Sequence, residues 1–252
     1  MIQIIYQEAQ RSGQSILCIA DDTIASHAKP SSQALHPIEA AYFHQSHLKG
    51  RQDYGHQVVS VMLSCNGITL NYAVILYDKS RSKIQIVQEI AKELPIAPVI
   101  SYFLCDSWYT SAKVMDSFIQ KGFYTIGALK TNRIIYPCGI RQKASEFALH
   151  LRKSDSKALR IFLSTNVGMS TQKILDTYTR RWPIELFFRQ SKSKLALDKY
   201  QIRSKQGIQR YWLIMSLVHY LCCTCMGNYC TFEEGYSHLQ KQLKVEQLGN
   251  LH

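Results

Sequence analysis

Apolar residues in this chain fall into two rhythms, short continuous runs and helical spacing. Residues 16–20 form a continuous apolar run ending in Asp21-Asp22, which predicts a strand buried on both faces. Residues 23–56 are polar and rich in His, and they read as a long irregular connection. Two β-rich runs follow, 57–64 and 68–77, separated by Cys65-Asn66-Gly67. Asn-Gly between such runs predicts a hairpin, because a type I′ turn needs positive φ at both central residues. Ile84, Val87, Ile90, Ala91 and Leu94 then recur with helical period, and Pro95 ends the helix. A further apolar run, 99–105, leads straight into Asp106. After it Trp108, Ala112, Met115 and Ile119 mark one helix face, with Ser107 as the expected N-cap. Residues 123–129 read as another strand.

The predicted order is thus strand, hairpin, helix, strand, helix, strand. A hairpin combined with strand–helix crossovers argues for an α/β fold with a mixed β-sheet flanked by helices. Residues 130–157 are polar and basic, and Pro137 and Gly139 interrupt any regular element. A short strand is expected at 159–165. A helix should begin after Ser170 or Thr171 and run through Tyr178 toward residue 194. An apolar helix at 208–226 precedes a polar stretch, so we divide the chain into a core, 1–226, and a polar C-terminal tail, 227–252.

Composition narrows the classes. At 46% hydrophobic and 11% aromatic residues, the chain can build a core, which excludes disorder. It has no stretch of eighteen uncharged apolar residues, so no membrane span is expected, and its N-terminus does not read as a signal peptide. Thirty Lys and Arg against eighteen Asp and Glu leave a formal charge of +12. Such a balance points to a polyanionic partner, nucleic acid first and an acidic membrane surface second. The eight cysteines read as reduced thiols of a cytoplasmic protein. Cys222, Cys223, Cys225 and Cys230 lack the paired CxxC knuckles of common zinc sites and lie in an apolar run, where Cys serves as a small hydrophobe. His44, His47 and His56 read as part of a polar loop rather than a metal cluster.

The chemically pointed residues are carboxylates. Asp21 and Asp106 each end an apolar strand, where open α/β sheets place their sites. Either could equally be a simple turn or helix cap. Glu185 sits in YTRRWPIELFFRQSK. On one helix Tyr178, Arg181, Glu185 and Lys192 would fall within roughly 60° of each other. The alternative is a solvated basic face with one intrahelical ion pair. Pro183 should kink that helix or begin a second one, and in the latter case Glu185 lies in a first turn that favours an anion.

This string fits Y-x2-R-x3-E-x6-K through Tyr178, Arg181, Glu185 and Lys192, and it resembles the signature of the insertion-sequence-four family of DDE transposases. IADDT at 19–23 resembles that family's first catalytic Asp motif and LCDSWY at 104–109 its second. The resemblance covers about 16–220, with the motifs in order. It implies an RNase H-like core in which Asp21, Asp106 and Glu185 hold two Mg²⁺ (or Mn²⁺) ions about 3.5–4 Å apart, a choice that suits all-oxygen ligands. Asp21 takes the leading position of the family's D-x-T pattern. Asp22 is the fallback, facing the other way if the strand continues. Tyr178, Arg181 and Lys192 would grip phosphates of double-stranded DNA, at transposon ends and target, and a homodimer in the DNA complex is compatible with this. Lys130 and Arg133 are candidate strand-guiding contacts. Trp182 and Phe188 are expected in the core.

Two departures from the family shape the expectation. Only twenty residues precede Asp21, too few for the family's helical N-terminal region. The 79 positions between Asp106 and Glu185 leave little room for its β-rich insertion, and SDSKALRIF at 154–162 reads as a junction where something was lost. The expectation is a truncated, weakly active or inactive transposase core. A DNA-binding remnant without catalysis and a simple RNase H-like nuclease are the competing classes.

Overall fold

The computed structural model describes residues 2–31, 38–46, 50–150, 160–226 and 229–249. The chain opens with α1 (Ile2–Ser12), β1 (Leu17–Ser26), β2 (Tyr42–Ser46), β3 (Arg51–Cys65) and β4 (Ile68–Tyr77). There follow α2 (Lys83–Glu93), β5 (Ser101–Cys105), α3 (Ala112–Ile119) and β6 (Phe123–Leu129). A small β7 (Ile134–Ile135) and β8 (Gln142–Lys143) pair with each other ahead of α4 (Ala144–His150) and β9 (Ile161–Ser164). The helices α5 (Thr171–Thr179), α6 (Trp182–Lys194), α7 (Lys205–Cys222) and α8 (Phe232–Gly249) complete the described chain.

The main sheet runs β2-β3-β1-β5-β6-β9, with β4 also on β3. β3 is antiparallel to β1, while β5 is parallel to both β1 and β6. This is a mixed sheet flanked by helices, consistent with an RNase H-like core. Alternation along the strands divides the interior in two. Cys18, Ala20, Phe103 and Cys105 face a cluster built with Ile5 of α1, Val87 of α2 and Phe118 of α3. Leu17, Ile19, Tyr102 and Leu104 face the other way, against Ile184 and Phe187 of α6 and Trp212 of α7. Parallel strands covered on both faces must be apolar throughout, which is why β1 and β5 read as continuous runs.

The expected hairpin is present: Asn66 and Gly67 have φ of +47° and +83° between β3 and β4. Several expectations need correction. Residues 23–56 are not one irregular connection, because β1 continues to Ser26 and β2 pairs with the beginning of β3. His44 and His56 therefore lie buried on strands rather than in a loop; His47 falls outside the described residues. The N-cap of α3 is Ser111, not Ser107, since residues 107–109 form a turn. Most of the 154–162 junction lies outside the described residues. The stretch read as a polar tail contains α8, whose Phe232 is buried with Cys222 and Cys223. No helix among the described residues is long and apolar enough to cross a membrane.

Candidate active site

Parallel pairing of β1 and β5 sets Ala20 beside Cys105, and the residue that follows each of these is an aspartate, Asp21 within β1 and Asp106 just past the end of β5. Alternation sends Asp21 to the same face as Leu17 and Ile19, the face covered by α6. Asp22 points oppositely, with Cys18 and Ala20. The choice between neighbouring carboxylates is thereby a choice between faces, and only Asp21 shares one with Glu185.

Glu185 reaches the site by an elbow rather than along one helix. α5 ends at Thr179, Arg181 adopts φ −71°, ψ −19° as the N-cap of α6, and Pro183 occupies the first turn. Proline is tolerated there because that amide lacks an intrahelical acceptor. Glu185 thus sits in the first turn of α6, where the macrodipole favours an anion. Arg181 connects the two motifs: its Nη1 donates to Asp21 Oδ2 at 2.7 Å, and its Nη2 pairs with Glu185. The Tyr178 ring lies 5.9 Å from the Arg181 guanidinium and 4.5 Å from Phe162. Lys192, two turns further along α6, donates to Thr23 Oγ1 at 2.7 Å. That threonine is the third residue of the D-x-T pattern, so both signature cations touch the first Asp motif.

Asp106 closes its own turn. Its Oδ1 accepts from the amides of Trp108 (2.9 Å) and Tyr109 (3.4 Å), and Thr110 Oγ1 donates to its carbonyl at 2.9 Å. Capping and a chemical role are thus compatible at one residue. Burial pushes the Asp21 carboxyl up to about 6; Arg181 opposes this, and the nearby Asp106 charge adds to it. Burial also raises Asp106, against the Trp108 amide and with the Asp22 charge. Burial lowers Arg181, but the charge and hydrogen bond of Asp21, with Tyr178 and Glu185, together outweigh it and hold the guanidinium above its ordinary value.

The donor set, three carboxylates from β1, the end of β5 and α6, has the all-oxygen character that Mg²⁺ or Mn²⁺ requires. As arranged, Arg181 supplies the positive charge between Asp21 and Glu185. Among the described residues, no three acidic, His or Cys side chains stand close enough to share an ion. This includes the thiols of the 222–230 segment.

One contact beside the site had no sequence signal. Asp22 accepts from Tyr109 Oη at 2.7 Å and from Gln57, and both its oxygens lie 3.1 Å from Lys83 Nζ. Nothing in the spacing tied Lys83, the first residue of α2, to a carboxylate 61 positions earlier. Trp182 corrects another expectation: it is 53% exposed, whereas Phe188 is buried. Trp182 opens α6, and the buried face is taken by Ile184, Phe187, Phe188 and Ser191. Lys130 and Arg133 lie beyond β6 on the Asp106 side, where Arg133 Nη2 donates to the Thr110 carbonyl at 2.6 Å.

The chain matches no curated protein. It does match the transposase DDE domain family across residues 12–221, a span that contains both Asp motifs, the Tyr-Arg-Glu-Lys signature and the whole central sheet. With most of its length matched, and with that order of motifs on a mixed sheet, the chain belongs to the transposase DDE domain family.

Proposed function

We propose that this chain is the catalytic core of a DNA transposase of the insertion-sequence-four type, cutting and joining DNA strands with divalent cations. The observation that carries the reading is the Asp21–Arg181–Glu185 bridge beside Asp106. It joins two of the three carboxylates, Asp21 and Glu185, at the edge of the sheet where β5 leads into Asp106. Asp21, Asp106 and Glu185 would hold Mg²⁺ or Mn²⁺, which when bound would activate water or a 3′-hydroxyl and stabilise the leaving oxygen. The protein's own part is positional. Arg181 exchanges its carboxylate partners for a DNA phosphate, a bidentate acceptor of similar shape. Lys192 adds a second phosphate contact, and Tyr178 packs beside the strand and offers its hydroxyl. Such contacts fix the register of the duplex without reading its sequence.

A second reading, a DNA-binding protein without catalysis, is favoured by one observation: the guanidinium of Arg181 already balances Asp21 and Glu185. Nicking of supercoiled plasmid with Mg²⁺ or Mn²⁺ separates the two. The catalytic reading expects metal-dependent nicking that Asp106→Asn and Glu185→Gln both abolish while duplex binding is retained. Duplex binding with no nicking by the unmodified chain favours the second reading. Nicking that survives both substitutions would sink the first.

A further inference from the structure

The connection from α7 to α8 brings two half-buried thiols to one backbone atom. α7 ends at Cys222 with Cys223 as its C-cap, and Cys225 lies in the turn that follows. Cys230 directly precedes Thr231, which forms a capping box with Glu234 at the start of α8. Cys225 Sγ donates to the Cys222 carbonyl at 3.7 Å and to the Gly235 carbonyl at 3.6 Å. Cys230 Sγ donates to the same Cys222 carbonyl at 3.3 Å, and its amide to the Cys223 carbonyl at 3.1 Å. Burial raises the Cys230 thiol, and the adjacent Cys225 thiol adds to that rise.

Both helices hold this convergence in place. The capping box fixes the backbone beside Cys230, and α8 presses on the opposite side. A Cβ at Gly235 would stand 1.6 Å from the Cys222 carbonyl oxygen and 3.1 Å from Cys225 Sγ. The other thiols are placed differently: Cys18, Cys65, Cys105, Cys222 and Cys223 are buried, and Cys138 is exposed. Cys225 and Cys230 thus combine partial exposure with a neighbouring thiol, the two conditions for reversible oxidation in a reducing compartment.

We propose that Cys225 and Cys230 are a redox modification site, a dithiol that a small disulfide of the glutathione type oxidises to an intramolecular disulfide. One thiolate of the pair attacks a sulfur of the oxidant, forming a mixed disulfide and releasing one small thiolate. The second thiolate attacks the protein sulfur of that mixed disulfide, forms the Cys225–Cys230 bond and releases the other small thiolate. Two cysteine thiols are oxidised and one small disulfide is reduced to two thiols, which take up the two protons. The sulfurs give up only weak S–H bonds to carbonyls. The new bond ties the end of α7 to the start of α8. Its ring is short, so its effect falls on the opening of α8 rather than on the whole fold. This site is separate from the carboxylates and does not depend on whether the chain cuts DNA.

The test incubates the full chain with reduced or oxidised glutathione, alkylates the remaining thiols and reads the cysteines by tandem mass spectrometry. Oxidised glutathione should leave Cys225 and Cys230 joined to each other and protected from alkylation. Cys225→Ser removes one partner but keeps a donor to the Cys222 carbonyl, and it should leave Cys230 carrying glutathione as a stable mixed disulfide. Cys230→Ser should do the converse at Cys225, whereas Cys138→Ser should behave as the unmodified chain. Oxidation should slow proteolytic cleavage within α8 about tenfold, and dithiothreitol should restore the rate. With both Cys225→Ser and Cys230→Ser in place, cleavage should ignore the oxidant. Unreacted thiols, a disulfide to another cysteine, or glutathione on both residues with no bond between them would overturn the site. A Cys225–Cys230 bond that leaves cleavage of α8 unchanged would overturn its role as a tie between the helices.

Discussion

Asp21 and Asp22 are adjacent in sequence, yet they serve opposite faces of the sheet. The difference follows from strand geometry alone, since side chains alternate with period two. Asp21 meets Arg181, whereas Asp22 meets Lys83, Tyr109 and Gln57. Asp106 depends on a smaller device. A Cβ at Gly127 of β6 would stand 2.3 Å from Thr110 Oγ1, the hydroxyl that donates to the Asp106 carbonyl. The glycine therefore makes room for the bond that closes the Asp106 turn. Gly127→Ala should destabilise the protein by about 1–3 kcal/mol, as overpacking does, measured by chemical denaturation. Because the offending contact is Thr110, Gly127→Ala should cost less in a Thr110→Ala background. Additive costs would show that the clash lies elsewhere.

At the scale of elements, the site is assembled by the break between α5 and α6 and by the end of β5. Pro183 made a second helix legible in the sequence, and the Asp-terminated apolar runs made β1 and β5 legible. The Asn66-Gly67 hairpin was legible for the same reason, because each of these signals acts within a few residues. The β2 hairpin was not, since its polar, His-bearing strands carry no strict alternation and their pairing is settled by β1 alongside. α1 went unread although Ile2, Ile5, Tyr6 and Ala9 have helical spacing, and Ile5 and Ala9 are fully buried. The Lys83–Asp22 contact was out of reach for another reason: it joins two elements through the tertiary fold. α8 was hidden by its polar composition, and its docking is narrow. Phe232 stacks on His219 at 4.8 Å, and a Cβ at Gly235 would lie 1.6 Å from the Cys222 carbonyl. Gly235→Ala should therefore lift α8 from α7. Limited proteolysis should then cleave α8 well before the sheet, whereas an unchanged cleavage pattern would contradict this close approach.

Across the whole molecule, buried titratable groups set opposing pH dependences. Burial lowers His56 and His219 to about 4 each, and it lowers His27 and His44 as well. Unfolding restores them toward 6.5, so the unfolded chain binds more protons in this window and stability is lost as pH falls from about 6.5 toward about 4. Asp21, raised to about 6, acts the other way and loses stability as pH rises through that window. Asp106 sides with Asp21. Four histidines against two carboxylates favour the histidine term. Unfolding free energy should drop by on the order of 2–3 kcal/mol between pH 6.5 and pH 4.5. His219→Phe, which keeps the stack on Phe232, should make that slope shallower. A stability that climbs as pH falls would mean that the carboxylates dominate.

Charge also governs how the molecule meets DNA. With a formal charge of +12, binding should weaken steeply with salt as phosphate counterions are released. Lys192 and Arg181 should each contribute about one unit to the slope of log affinity against log salt. Their substitutions differ in what they leave behind. Lys192→Ala releases the Thr23 hydroxyl, and it should flatten the slope and weaken binding moderately. Arg181→Ala exposes Asp21 and Glu185 without their shared cation, placing uncompensated negative charge where a phosphate would approach. It should flatten the slope equally but cost more affinity at low salt. Adding Glu185→Gln to Arg181→Ala should recover part of that loss, because it removes one of the two repelling charges. Fluorescence anisotropy with a labelled duplex over a salt series reads both quantities. An Arg181→Ala slope equal to that of the unmodified chain would mean that this guanidinium stays with its carboxylates when DNA binds. Arg181 would then be a brace of the protein rather than a contact to the strand.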